Sequence, residues 1–204
     1  MNGIWISLDG CGGSGKTTFF ERLKQIFPEF VFVPEFSSLC TGTALEKMIK
    51  ENGPYIIPRS FIGSSLLFLS DYFVLLESMI LPSINSKKIV VSDRGFLSKI
   101  ALQDIVMSQE YPAHEVEAAL TNLFQLSPIP DYSLNFDIPI SELRERLVKR
   151  DGIFRHEHEQ IIEPTKRKIN HYAEVFRLAK IDLHNDKDIE QAIRFIKQIT
   201  EPFL

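Results

Sequence analysis

Cysteine is scarce in this chain: Cys11 and Cys40 are the two in 204 residues. That is too few for a disulfide framework and suits a reducing compartment, so both read as free thiols. A basic surplus is missing too, since 23 Lys and Arg stand against 27 Asp and Glu for a net charge of −4. A protein that grips a polyphosphate backbone by charge would show the opposite balance, which argues against nucleic acid as the main ligand. The first ten residues lack a basic cluster and place Asp9 where an export signal needs apolar residues, so a cytoplasmic location is expected. Repeats, low-complexity tracts and linkers are also lacking, and a 44% hydrophobic, 25% charged composition fits one packed domain over residues 1–204. One run, Phe61 to Leu81, is apolar and long enough to span a bilayer. Asp71, Glu77 and four serines interrupt it, and acids are expensive in hydrocarbon, so a buried central helix and no membrane contact are expected.

What is present alternates between strand and helix. Ile4 to Leu8 is an apolar run feeding a glycine-rich turn, the mark of a buried parallel strand. Phe19, Leu23, Ile26 and Phe27 then recur at helical spacing until Pro28. Further strands are expected at Phe30 to Val33, Lys88 to Val91, Tyr132 to Asp137 and Ile181 to Leu183. Helices are expected at Ala44 to Lys50 (stopped by Asn52-Gly53), from near Pro58 to Pro82, at Leu97 to Met107, at His114 to Leu126, from a Ser141 cap to Arg150, around Ile169 to Phe176 and at Ile189 to Ile199. The polar stretch between Arg150 and Glu163 has no apolar period and reads as a mobile loop, part of a lid over about 144–163. Such alternation implies a doubly wound α/β fold around one parallel sheet.

The chemistry starts at Gly10-Cys11-Gly12-Gly13-Ser14-Gly15-Lys16-Thr17, which fits GxxxxGK[ST] between an expected strand and an expected helix. Its glycines permit positive φ and let backbone N–H groups converge on phosphate oxygens at a helix N-terminus. Gly10, Gly12, Gly13, Ser14, Gly15, Lys16, Thr17 and Thr18 are therefore the candidate ATP-binding residues, with Lys16 on the β- and γ-phosphates and Thr17 on Mg²⁺. A phosphate loop alone does not separate kinase, motor, switch or transporter. Ser92-Asp93-Arg94 ends the third strand at the sheet edge where ligands bind. Asp93 can orient Mg²⁺ or its water, and Arg94 can grip an acceptor phosphate with its planar fork. Glu35 holds the matching place after the second strand, where a carboxylate can contact an acceptor hydroxyl.

Arg144, Arg146, Lys149, Arg150 and Arg155 crowd the lid, and Arg146 and Arg150 share a helix face. Like charges so placed repel unless an anion lies between them, while Glu142 offers Arg146 a competing ion pair. Arg150 and Arg155 are the candidate catalytic arginines of the lid. His156-Glu157-His158 lacks metal-ligand spacing and reads as loop surface. Phe68, Tyr72 and Phe73 on the apolar helix fit core positions, though one aromatic there can stack on a base.

These stretches together resemble the thymidylate kinase family over nearly the whole chain. Leu8 through Thr18 resembles its phosphate loop. Asp93 to Gln103 keeps the spacing of its DRYxxSxxAYQ stretch. Leu66-Leu67-Phe68 is similar to its LLF segment, and Pro130-Asp131-Tyr132-Ser133-Leu134 through Pro139 to its PDLTLYLDVP strand. The resemblance implies a three-layer P-loop fold with a five-stranded sheet of order 2-3-1-4-5, Mg·ATP as donor, a nucleoside monophosphate as acceptor and a homodimer. It also implies a base stacked on Phe68, an acceptor phosphate on Arg94, Ser98 and Gln103 on the substrate side, and adenine facing the turn after Leu183. The chain departs from the family at Gly12, where an acid is usual; at Tyr72, where a base-reading arginine falls; at Pro34-Glu35-Phe36, in place of REPGG; and at Gly95, in place of the tyrosine of DRY. Two other readings stay open: a deoxynucleoside kinase with Glu35 as its base, and a nucleotide-binding regulator that transfers nothing.

Overall fold

The computed structural model describes residues 3–52, 60–154 and 156–203. Five parallel strands form its sheet: β1 (Ile4–Gly10), β2 (Val31–Val33), β3 (Ile89–Asp93), β4 (Tyr132–Phe136) and β5 (Lys180–Leu183), in spatial order 2-3-1-4-5. β1 lies at the centre and is buried along its whole length, pairing Ile6 with Val91 of β3 on one side and with Tyr132 of β4 on the other. Parallel strands need long crossovers, and the helices that make them cover both faces, hence the unbroken apolar run of β1.

The pleat divides that run between two cores. Ile4, Ile6 and Leu8 point to one face, with Val91 and Leu134, and pack under Phe19, Phe20 and Leu23 of α1 (Lys16–Ile26) and Ala192 and Ile196 of α9 (Asp186–Thr200). Trp5 and Val90 point to the other, against Leu69, Tyr72 and Leu75 of α3 (Phe61–Leu75) and Phe96, Leu97 and Ile100 of α5 (Phe96–Met107). Burying each such side chain contributes about 1.5–3 kcal/mol. The rest of the chain supplies α2 (Cys40–Asn52), α6 (Ala113–Phe124), α7 (Ile140–Asp151) and α8 (His156–Val175).

Four boundaries differ from the sequence reading. Pro82 does not stop its helix. α3 runs through a π turn (Leu76–Ile80) into α4 (Leu81–Asn85), where Leu81 N–H bonds Leu76 carbonyl five residues back. Pro82 then falls in the first turn of the new segment, where its missing N–H costs little. This helix is also less buried than expected: Ile62 and Leu66 are exposed, whereas Asp71 is fully buried and hydrogen-bonded. Length and composition alone would let Phe61–Asn85 cross a membrane; the buried acid in mid-helix instead marks a helix packed on protein.

Ser141 caps nothing, because the N-cap of α7 is Pro139, one residue before the first helical position. Residues 156–163 are helical rather than loop. Ile162, 1% exposed, packs with Cys11, Ile138, Leu143 and Leu147, so tertiary contact overrides the polar local pattern. α2 starts at Cys40, four residues earlier than its apolar pattern indicated. Pro58, Gly53 and the side chains of Cys40 and His156-Glu157-His158 lie outside the described residues.

Candidate active site

At the carboxyl ends of β1 and β3 the backbone shapes the site first. Gly10, Gly13 and Gly15 all take positive φ, at 130°, 79° and 102°, which a side chain would resist. At Gly13 a Cβ would also approach Leu147 Cδ2 of α7 to 2.8 Å. The resulting loop wraps Lys16, a residue 4% exposed, whose ammonium donates to Gly10 O (2.9 Å), Cys11 O (2.6 Å) and Ser14 Oγ (3.2 Å). Burial first, and then the nearby Arg94 guanidinium, push its pKa down to about 7. Gly12 lies half-buried in the loop, and Thr18 is exposed beside Thr17.

Asp9, fully buried in mid-strand, anchors this loop to the turn opposite. Its carboxylate accepts from Ser7 Oγ and Ser133 Oγ, both at 2.7 Å, and from Ser98 N at 2.7 Å. Ser98 Oγ in turn accepts from Gly10 N at 3.0 Å. Ser98 thus joins the phosphate loop to the start of α5 instead of facing an acceptor pocket.

Thr17 and Asp93 meet, as the metal assignment requires: Thr17 Oγ1 donates to Asp93 Oδ2 at 3.2 Å. Asp93 Oδ1 is buried with no hydrogen-bond partner. Burial, and the charge of Glu35 next to it, raise the Asp93 pKa. A buried carboxylate oxygen without a donor, beside a threonine hydroxyl, fits a hard cation that takes oxygen ligands. Among the described residues no group of three or more His, Cys, Asp and Glu side chains forms a metal cage.

Arg94 follows immediately, with φ 52°. Among the described residues Lys87 and Arg177 take the same left-handed conformation, which is uncommon outside glycine. Gly95 after it is required by packing, since a Cβ there would lie 2.0 Å from Ser7 Cβ. Arg94 Nε pairs with Glu35 Oε1 at 2.5 Å. Burial alone would raise the Glu35 pKa, but Arg94, Lys99 and Lys16 outweigh it and hold the carboxyl below its usual range. Lys99, 3% exposed on α5, donates to Glu35 O at 2.9 Å and lies 4.8 Å over the Phe36 ring. Phe36 packs on half-buried Phe68, ring centroids 6.1 Å apart.

The other candidates scatter. Tyr72 is 2% exposed, stacks on Phe124 and places its hydroxyl 3.2 Å from Ser127 Oγ; burial raises its pKa above the ordinary range. Gln103 is buried on α5. Arg150 pairs with Asp151 through two 2.7 Å contacts on the surface. Arg155 lies outside the described residues. Arg146, one turn before Arg150, reaches the loop: its Nη1 donates to Ser14 O at 3.1 Å while Nη2 pairs with Glu142.

Comparison with known proteins agrees with this arrangement, for residues 8–196 match the thymidylate kinase family. The chain belongs to the thymidylate kinase family. It is accordingly a nucleotide kinase, a phosphotransferase. Among its relatives, the probable thymidylate kinase of Pyrococcus horikoshii is 28% identical over 207 residues, 91% of this chain and 94% of that one. That of Methanococcoides burtonii is 28% identical over 207 residues, 96% and 98%. Two solved structures share the fold. Thymidylate kinase from Candida albicans has a TM-score of 0.73 at 17% identity, covering 100% of this chain and 94% of that chain, and that from Ehrlichia chaffeensis 0.66 at 18%, covering 96% and 100%. Set against the thymidylate kinase pattern, the site residues that sequence reasoning passed over are Asp9, Asp71, Lys99 and the Arg146 contact. Asp9, Asp71 and Lys99 share one signal, a charge inside an otherwise apolar strand or helix.

Proposed function

We propose that this thymidylate kinase family member transfers the γ-phosphoryl group of Mg·ATP to dTMP or a closely related nucleoside monophosphate in the cytoplasm. The observation that carries the reading is the pairing of two ends across one sheet edge: Lys16, Thr17 and Asp93 at the donor end, and Arg94, strained and held by Glu35, at the acceptor end. Thr17 and Asp93 would hold Mg²⁺, which supplies charge neutralisation to the transferring group. Lys16 exchanges its carbonyl partners for phosphate oxygens. Arg94 orients the acceptor phosphate for in-line attack, and the loop amides need no reorganisation as charge develops.

Residues 144–163 would act as a lid on the donor, with Arg146 already against the phosphate loop and Arg150 and Arg155 as its other candidates. A single domain over 1–204 and a homodimer complete the proposal. A deoxynucleoside kinase or a silent nucleotide binder is disfavoured, because residues 8–196 match the thymidylate kinase family. A coupled ADP-release assay over dTMP, dUMP, other monophosphates and thymidine tests it: dTMP should turn over best and thymidine should give no turnover. Preference for thymidine would refute the monophosphate acceptor.

A further inference from the structure

Lys99 is a buried cation that the catalytic scheme above does not use. It sits on the first turns of α5 with its ammonium almost sealed from water. Three N–H donors point from that nitrogen, yet it makes one hydrogen bond, to Glu35 carbonyl, and one contact with the face of Phe36. Burying an ammonium so thinly solvated is costly unless a further partner arrives.

The acids around it are committed elsewhere. Glu35 carboxylate pairs with Arg94. Asp93 faces Thr17. Asp71 accepts from Ser37 N–H (3.0 Å), from Ser37 hydroxyl and from Thr41 hydroxyl (2.8 Å). Once donor phosphates engage Lys16 and a metal engages Asp93, the acids near Lys99 are Glu35, already paired with Arg94, and Asp71, whose hydrogen bonds go to Ser37 and Thr41, so neither carboxylate hydrogen-bonds the Lys99 ammonium. Position points the same way, because Lys99 touches one member of each of two pairs, Glu35 of the Glu35–Arg94 pair and Phe36 of the Phe36–Phe68 pair. It also borders a water-sized cavity lined by Val33, Pro34, Tyr72, Asp93 and Arg94.

We propose that Lys99 is a second cation for the acceptor's phosphate, leaving Glu35 carbonyl to join Arg94 on the phosphate oxygens. This rests on the monophosphate-kinase reading and deepens it, since phosphate oxygens would supply the acceptors that the Lys99 ammonium lacks.

The test is Lys99→Met, close in volume and apolar, so that the fold tolerates it. Loss of a charge-assisted hydrogen bond predicts a rise in the dTMP KM on the order of 10- to 100-fold. The ATP KM should stay within about twofold, thymidine's inhibition constant against dTMP should be unchanged, and Tm should fall by no more than several degrees, the cost of leaving Glu35 carbonyl without its donor. A dTMP KM equal to wild type, or a loss shared equally by thymidine, overturns the role of Lys99. Failure of the wild-type enzyme to use or bind any nucleoside monophosphate overturns the underlying reading instead, and that is read in the same assay before the variant is compared.

Discussion

The buried ammonium of Lys16 makes nucleotide binding a proton-coupled event whose size follows from its surroundings. An unfolded lysine titrates at 10.5, and burial in the phosphate loop lowers Lys16 to about 7. Between those values the unfolded chain binds more protons than the folded one, so the free protein gains stability as pH rises through the window, by up to about 1.4 kcal/mol per pH unit. A bound polyphosphate reverses the sign by favouring the charged form. At pH 8 a group with a pKa of about 7 is about nine-tenths neutral, so binding Mg·ADP should take up nearly one proton. Affinity should then fall close to tenfold from pH 8 to pH 9. Isothermal titration calorimetry at pH 8 in buffers of different ionisation enthalpy measures the uptake directly. Among the described residues Lys99 is the other buried lysine with a lowered pKa; Lys99→Met should leave the uptake on Mg·ADP binding in place, which assigns it to Lys16. Uptake below about 0.2 proton would mean that Lys16 stays charged in the free enzyme, refuting the claim that burial dominates its titration.

Two further substitutions separate donor from acceptor. Asp93→Asn should keep the fold, lower kcat by roughly 10²- to 10³-fold and raise the Mg²⁺ concentration needed for half-maximal rate, because it removes the negative charge and replaces one carboxylate oxygen by an amide NH₂; steady-state rates across a Mg²⁺ series check it, and an unshifted requirement would detach Asp93 from the metal. Asp71→Ala strips acceptors from Ser37 N–H and hydroxyl and from Thr41, for a cost of about 2–4 kcal/mol and a fall in Tm of several degrees. Since the turn it holds carries Glu35, the dTMP KM should rise in Asp71→Ala with the ATP KM little changed, a split that kinetics at saturating co-substrate resolves.

The donor half was legible because it is made of backbone. A loop that must turn amides inward needs positive φ at Gly10, Gly13 and Gly15, and only glycine takes such angles freely, so the geometry leaves its mark in adjacent residues. β1 and β3 announced themselves for a similar reason: strands covered on both faces must be apolar throughout. Pro82 misled because its cost was removed by the π turn ahead of it, a compensation that no local pattern encodes. The segment after His156 misled because a single long-range contact, Ile162 on Cys11 and Leu147, outweighs its polar neighbours.

The acceptor half resisted reading because its parts meet only in space. Glu35 and Arg94, Asp71 and Ser37, and Lys99 and Phe36 are paired across separations of 59, 34 and 63 residues, and no member of a pair predicts its partner. Each does leave a trace where it stands, as a charge that a buried element has no reason to carry unless something satisfies it. Asp71 is satisfied from within the protein, by three donors. Lys99 is not: one carbonyl and one ring face are less than an ammonium requires. That asymmetry separates a charge that holds the fold from one with room for a further partner, and the comparison of dTMP and ATP KM in Lys99→Met tests whether that partner is the acceptor's phosphate.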